Sequence, residues 1–153
     1  MNTYRPRQLV RAAAWVIFSS YTLFIIYLLF FGFSRSGRTE RSYNIVPFKT
    51  VWSYFVYFRH YDLDIWIINV FGNVAAFVPF GFFIPWLFPS FNRWLAVAKL
   101  LFWLLLAVET LQFVFKVGSF DVDDILLNVL GGLLGFALFV AAMGCKTGRG
   151  SIQ

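Results

Sequence analysis

Asp121, Asp123 and Asp124 stand together at the head of a long apolar run, GSFDVDDILLNVLGGLLGF (Gly118 to Phe136), in a chain with only seven acidic residues. Two carboxylates one helical turn apart can hold a hard cation such as Mg²⁺, or divide general acid and general base work between them. A divalent cation at Asp121 and Asp124 is therefore the one cofactor this pattern admits. Asp121, Asp124, Asn128, Gly131 and Gly135 recur three and four residues apart, which places them in one stripe of a helix. Asp123 lies off that stripe. Asn69 and Asn73 are four apart, and Glu109, Gln112 and Lys116 share another helical face. The sequence offers no activated nucleophile, no histidine-rich metal site and no phosphate loop. The single histidine, His60, reads as an interfacial polar residue, and Cys145, the single cysteine, excludes an internal disulfide.

The elements that must position these residues are membrane helices. The chain is 60% apolar and 13% charged, against about 25% charged in a soluble domain, and its mean hydropathy is +0.73. Charge is absent from Ala12 to Phe33, Ile65 to Phe88 and Ile125 to Cys145, and Trp94 to Phe115 is broken only by Lys99 and Glu109. A bilayer core needs about 20 helical residues, and runs this long and unalternating do not suit barrel strands. Four spans are predicted, at residues 12–33, 65–88, 94–115 and 124–145, in a single domain covering 1–153. The first follows Arg5, Arg7 and Arg11 like a signal peptide. Its apolar run is too long for one, and FSRSGRTER follows in place of a small-residue cleavage site, so it is expected to be retained as an anchor. The net charge of +6 and pI near 9.8 do not indicate a nucleic-acid partner, because the basic residues are scattered around apolar spans. They divide almost evenly between the two sides, so charge leaves the orientation open and the lipid bilayer is the expected partner.

Connectivity adds a deduction. The second span begins, the third ends and the fourth begins on the face that carries the first and third loops, here called the loop face. Asn69 and Asn73, Glu109 and Gln112, and Asp121, Asp124 and Asn128 should therefore lie at one depth, roughly 5–10 Å inside the apolar core at about 1.5 Å per residue. Exposing a charge to lipid at the bilayer centre costs about 3 kcal/mol or more, so these stripes should face one another and line a polar pocket. Plainer readings stand beside this one. Asp121 and Asp123 can serve as caps, the asparagines as interhelical glue, and Gly131, Gly132 and Gly135 as small residues for close packing. In the first loop, VPFKTVWSYFVYFRHY places Pro47 at a helix's first position and Phe48, Val51, Trp52 and Phe55 on one face, with Tyr54, Tyr57, Phe58 and Tyr61 as a belt. An interfacial amphipathic helix over about 47–59 is predicted, serving as a lid or as a connector. Pro79 and Pro85 should kink the second span near Gly81.

Four stretches occur in an order that resembles the VanZ-like family: NIVPF (Asn44, Pro47, Phe48), NVFGNVAAFVPFG (Asn73, Phe77, Pro79, Gly81), ETLQFVF (Glu109, Gln112) and GSFDVDDILLNVLGGLLG (Asp121, Asp124, Asn128, Gly131, Gly132, Gly135). The resemblance covers residues 44–136. Asp123 stands where that pattern usually has a hydroxyl residue, so replacing it is expected to be silent. The resemblance implies a small bacterial membrane protein of a family in which some members lower susceptibility to glycopeptides such as teicoplanin. It further implies a loop face turned outward and cytoplasmic termini, because glycopeptides act on lipid-linked wall precursors outside the cell. Three classes remain open: a non-enzymatic resistance or envelope protein engaging a lipid-linked precursor or the glycopeptide, a membrane-embedded enzyme acting on such a precursor, and a scaffold for a partner membrane protein.

Overall fold

A computed structural model describes residues 4–32, 42–56 and 67–147. Helix α1 is Tyr4–Phe30, α2 Lys49–Val56, α3 Asn73–Leu87, α4 Trp94–Val114 and α5 Val122–Thr147. A π-turn, Ile68–Gly72, runs directly into α3, and a 3₁₀ turn, Pro89–Phe91, leads towards α4. Four segments are long and apolar enough to cross a membrane: Gln8–Phe30, Asn69–Leu87, Trp94–Val114 and Val122–Met143. The fold is all-α, as expected. Extended structure among the described residues is a two-residue parallel bridge between β1 (Tyr43–Asn44) and β2 (Phe120–Asp121).

The most extensive helix pairing is α3 against α5, and glycine makes it possible. A Cβ added at Gly131 would lie 2.0 Å from the Val74 carbonyl oxygen, and one at Gly135 1.9 Å from that of Val78. In the opposite direction, a Cβ on Gly81 would lie 1.8 Å from the Gly132 oxygen. The backbones are thus in direct contact over two turns, the close approach that small residues permit in membranes. Gly132 faces a third helix, and the close obstacle to an added Cβ is the tip of Leu101, at 2.0 Å, with the Phe77 carbonyl oxygen at 4.0 Å.

The core is completed by Phe77, Phe80 and Ile84 of α3, Val97, Leu101 and Leu105 of α4, and Ile125 of α5. Helix α1 joins through Ile25 and through Phe18, whose ring meets Phe80 edge-on at 5.8 Å. The Tyr21 hydroxyl donates to the Ala76 carbonyl at 3.0 Å. Helix α3 continues through Pro79 and Pro85 to Leu87. The π-turn lies directly upstream and holds Asn69, with Asn73 the residue after it, and such insertions recur at functional positions. Leu23, Trp103 and Leu138 are exposed on the outer faces, where a spanning helix meets lipid.

The first loop departs from expectation in one respect. Its helix begins at Lys49 and not at Pro47, because Phe48 has a left-handed backbone, φ 65°. Phe48, Trp52 and Val56 are exposed on one side of α2, while Thr50, Val51, Ser53 and Tyr54 turn partly inward. The residues expected to extend this helix and its aromatic belt, Tyr57, Phe58, His60 and Tyr61, lie outside the described residues.

Candidate functional site

Helix α5 starts where Asp121 stops the bridge. The Asp121 Oδ1 accepts the Asp123 N–H at 2.9 Å, the geometry of an N-cap, so the helix begins two residues before the predicted span. The same carboxylate reaches the first loop. Oδ1 also accepts from Asn44 Nδ2 at 3.0 Å, and Oδ2 accepts from the Thr50 hydroxyl at 2.6 Å. Asn44 Nδ2 donates to Thr50 Oγ1 at 3.0 Å, and Asn44 Oδ1 closes a local turn on the Val46 N–H at 3.1 Å.

Asp123 corrects the sequence reading. It is neither a solvated cap nor a bystander, but the most buried acid among the described residues, 1% exposed. Oδ1 accepts the Phe48 N–H, and Oδ2 accepts those of Thr50 at 2.8 Å and Val51 at 3.1 Å. These are the orphan donors at the start of α2, which has no polar residue of its own to cap it. Asp121 and Asp123 together form a clasp that fastens the first loop to the head of α5.

Below the clasp lies a second tier. Glu109 is buried in the last turns of α4, 4% exposed, and its Oε2 accepts the Asp121 N–H at 3.1 Å. Asn73 Nδ2 donates to Asp124 Oδ1 at 2.7 Å, joining α3 to α5. Asn128 follows one turn further along α5, 3% exposed. Asn69 sits half-buried in the π-turn. Gln112 turns elsewhere: its Nε2 donates at 2.8 Å to the Leu29 carbonyl, one of the unpaired groups at the end of α1. Lys116 does not share the Glu109 face. It lies past the end of α4, exposed and left-handed at φ 58°, in a turn closed by the Val117 and Gly118 N–H groups on the Gln112 carbonyl.

The two tiers therefore use their acids differently. Asp121 and Asp123 hold the loop, while Glu109 and Asp124 join spans. Asp121 accepts from Asn44, Thr50 and the Asp123 N–H, and Asp124 accepts from Asn73; no group of three or more His, Cys, Asp or Glu among the described residues is arranged to hold a metal ion. Sequence reasoning assigned no role in the site to Asn44 or Thr50, and to Asp123 only that of a cap. For Asn44 the NIVPF stretch was a signal. For Thr50 there was none.

A family model described as VanZ/LLP1 matches residues 18–143. The chain belongs to the VanZ/LLP1 family. It is also similar to protein VanZ of Enterococcus faecium, 30% identical over 102 residues, which is 65% of this chain and 53% of that protein. The match thus spans about half the length of that relative. No solved structure matches the chain. Every residue of both tiers lies within the region matched to the VanZ/LLP1 family.

Proposed function

We propose that this VanZ/LLP1-family membrane protein contributes to glycopeptide resistance of the teicoplanin type, or to envelope homeostasis, by engaging a lipid-linked wall precursor or the glycopeptide at its second tier. In this reading the loop face is turned to the outer leaflet, the termini are cytoplasmic, and the clasped first loop covers the tier. The observation that carries the proposal is Glu109, an ionisable residue kept 4% exposed inside an apolar span, because an ionisable residue within a span is costly to bury and is a functional candidate by default.

The test is growth under teicoplanin in a susceptible strain expressing Glu109→Gln or Asp124→Asn, with membrane abundance measured alongside. Each change keeps shape and most hydrogen bonding. If the tier were only glue, each would be nearly silent, since interhelical hydrogen bonds in membranes average about 0.6 kcal/mol. A charged binding site predicts loss of the phenotype at normal abundance. Thr110→Val is the control, because Thr110 is exposed and its hydroxyl bonds only to Leu106 of its own helix. Full resistance in both tier variants sinks the proposal.

Orientation has its own test. Ser42 and Ser90 are both exposed, on the loop face and the opposite face. In a Cys145→Ser background, Ser42→Cys is expected to react with an impermeant thiol reagent in intact cells, and Ser90→Cys only after lysis. The reverse pattern would put the loop face in the cytoplasm.

A further inference from the structure

The carboxamide oxygen of Asn128 is buried and has no hydrogen-bond partner among the described residues. Buried polar groups are nearly always satisfied, and one left alone forfeits its hydration without return. Three neighbouring amides donate to other acceptors: Asn73 gives to Asp124, Gln112 to Leu29, and Asn44 to Asp121 and Thr50. Along its own stripe Asn128 has a carboxylate one turn above, Asp124, and below it Gly131, which lies against the Val74 carbonyl. The second tier is thus rich in acceptors. Glu109 and Asp124 bring carboxylate oxygens, and Asn128 adds an acceptor with nothing to accept. A phosphate would bring more acceptors and more negative charge to the same place. An N–H or O–H group would complement it.

We propose that Asn128 is a ligand-contacting residue, and that the group it reads is an uncharged or cationic hydrogen-bond donor, an amino, amide or hydroxyl group, and not a phosphate. This inference rests on the reading of the second tier as a binding site. It assigns to that site the sugar, peptide or headgroup portion of a lipid-linked molecule and leaves the phosphates outside the tier.

The test uses the purified full-length protein in neutral detergent with four probes of identical acyl chains: phosphatidylethanolamine, which offers N–H donors; phosphatidylglycerol, which offers O–H donors; phosphatidylcholine, which offers neither; and phosphatidic acid, which presents a phosphate monoester. A ligand that binds only the folded state raises Tm. The expected result is a larger rise with phosphatidylethanolamine or phosphatidylglycerol than with phosphatidylcholine, and no excess with phosphatidic acid. Asn128→Leu should abolish that excess while leaving the lipid-free Tm equal or higher, since it removes the orphan. Asn128→Asp, which keeps an acceptor oxygen in place, should retain the excess. Equal rises with all four lipids, a largest rise with phosphatidic acid, or an excess that survives Asn128→Leu would overturn the inference. Should Asn128→Leu not fold, Asn128→Ala takes its place, and an excess that survives Asn128→Ala equally overturns the inference. The measurement needs no resistance phenotype, so an Asn128-dependent headgroup preference upholds it even where teicoplanin susceptibility is unchanged.

Discussion

Asp123→Ala is expected to release the first loop and lower Tm in detergent more than any other single acid substitution in this chain. Three backbone N–H groups converge on this one carboxylate, and it is 1% exposed, so solvent does not replace it. Hydrogen bonds to a charged group are worth about 1.5–3 kcal/mol each, and a donor left buried costs a comparable amount. Asp123→Asn is not a gentle variant. One oxygen accepts Phe48 and the other accepts Thr50 and Val51, so an amide nitrogen in either position would turn N–H against N–H. Both variants should show faster backbone hydrogen exchange across residues 48–51 together with the Tm loss. Wild-type exchange there in Asp123→Ala would mean that α2 holds its position without the clasp.

Gly135→Ala is expected to destabilise the bundle far more than Gly132→Ala, although the two glycines are three residues apart and both are buried. The obstacle at Gly135 is backbone: the new Cβ would sit 1.9 Å from the Val78 oxygen and 3.0 Å from the Phe82 nitrogen. Relief requires α3 to move away from α5 along the longest seam of the fold. At Gly132 the obstacle is the Leu101 Cδ1 atom at 2.0 Å, the end of a side chain that can change rotamer. Overpacking typically costs about 1–3 kcal/mol, and Gly135→Ala should reach or exceed the upper end, with Gly135→Leu beyond recovery of folded protein. Thermal unfolding of the purified variants checks the order, and equal Tm losses at the two positions would refute the account of the seam.

The spans were legible because lipid admits few solutions. Charge-free runs of about 20 residues have to be helices, and α3, α4 and α5 lie where those runs lie. The meeting of Asn73 with Asp124, and of Glu109 with the head of α5, followed from connectivity. What stayed hidden was long-range and directional. Helical periodicity groups residues on a face but does not say that Gln112 turns to α1, or that Asp123, off the stripe, is the acid the first loop needs. Phe48 at the head of α2 held the missing clue: a helix start without Ser, Thr, Asp or Asn must borrow its cap from elsewhere. Thr50 carried no such mark, since its role exists only once Asp121 is beside it.

The clasp also sets an order of events during synthesis. Phe48 and its acceptor Asp123 are 75 residues apart, and two whole spans, α3 and α4, separate them in the chain. At about 5–20 residues per second, Phe48 waits roughly 4–15 s for its carboxylate to be made. During that interval the N–H groups at the start of α2 can bond only to water, lipid headgroups or a chaperone. Locking of the loop therefore waits for α3 and α4, and it reports that the head of α5 has arrived.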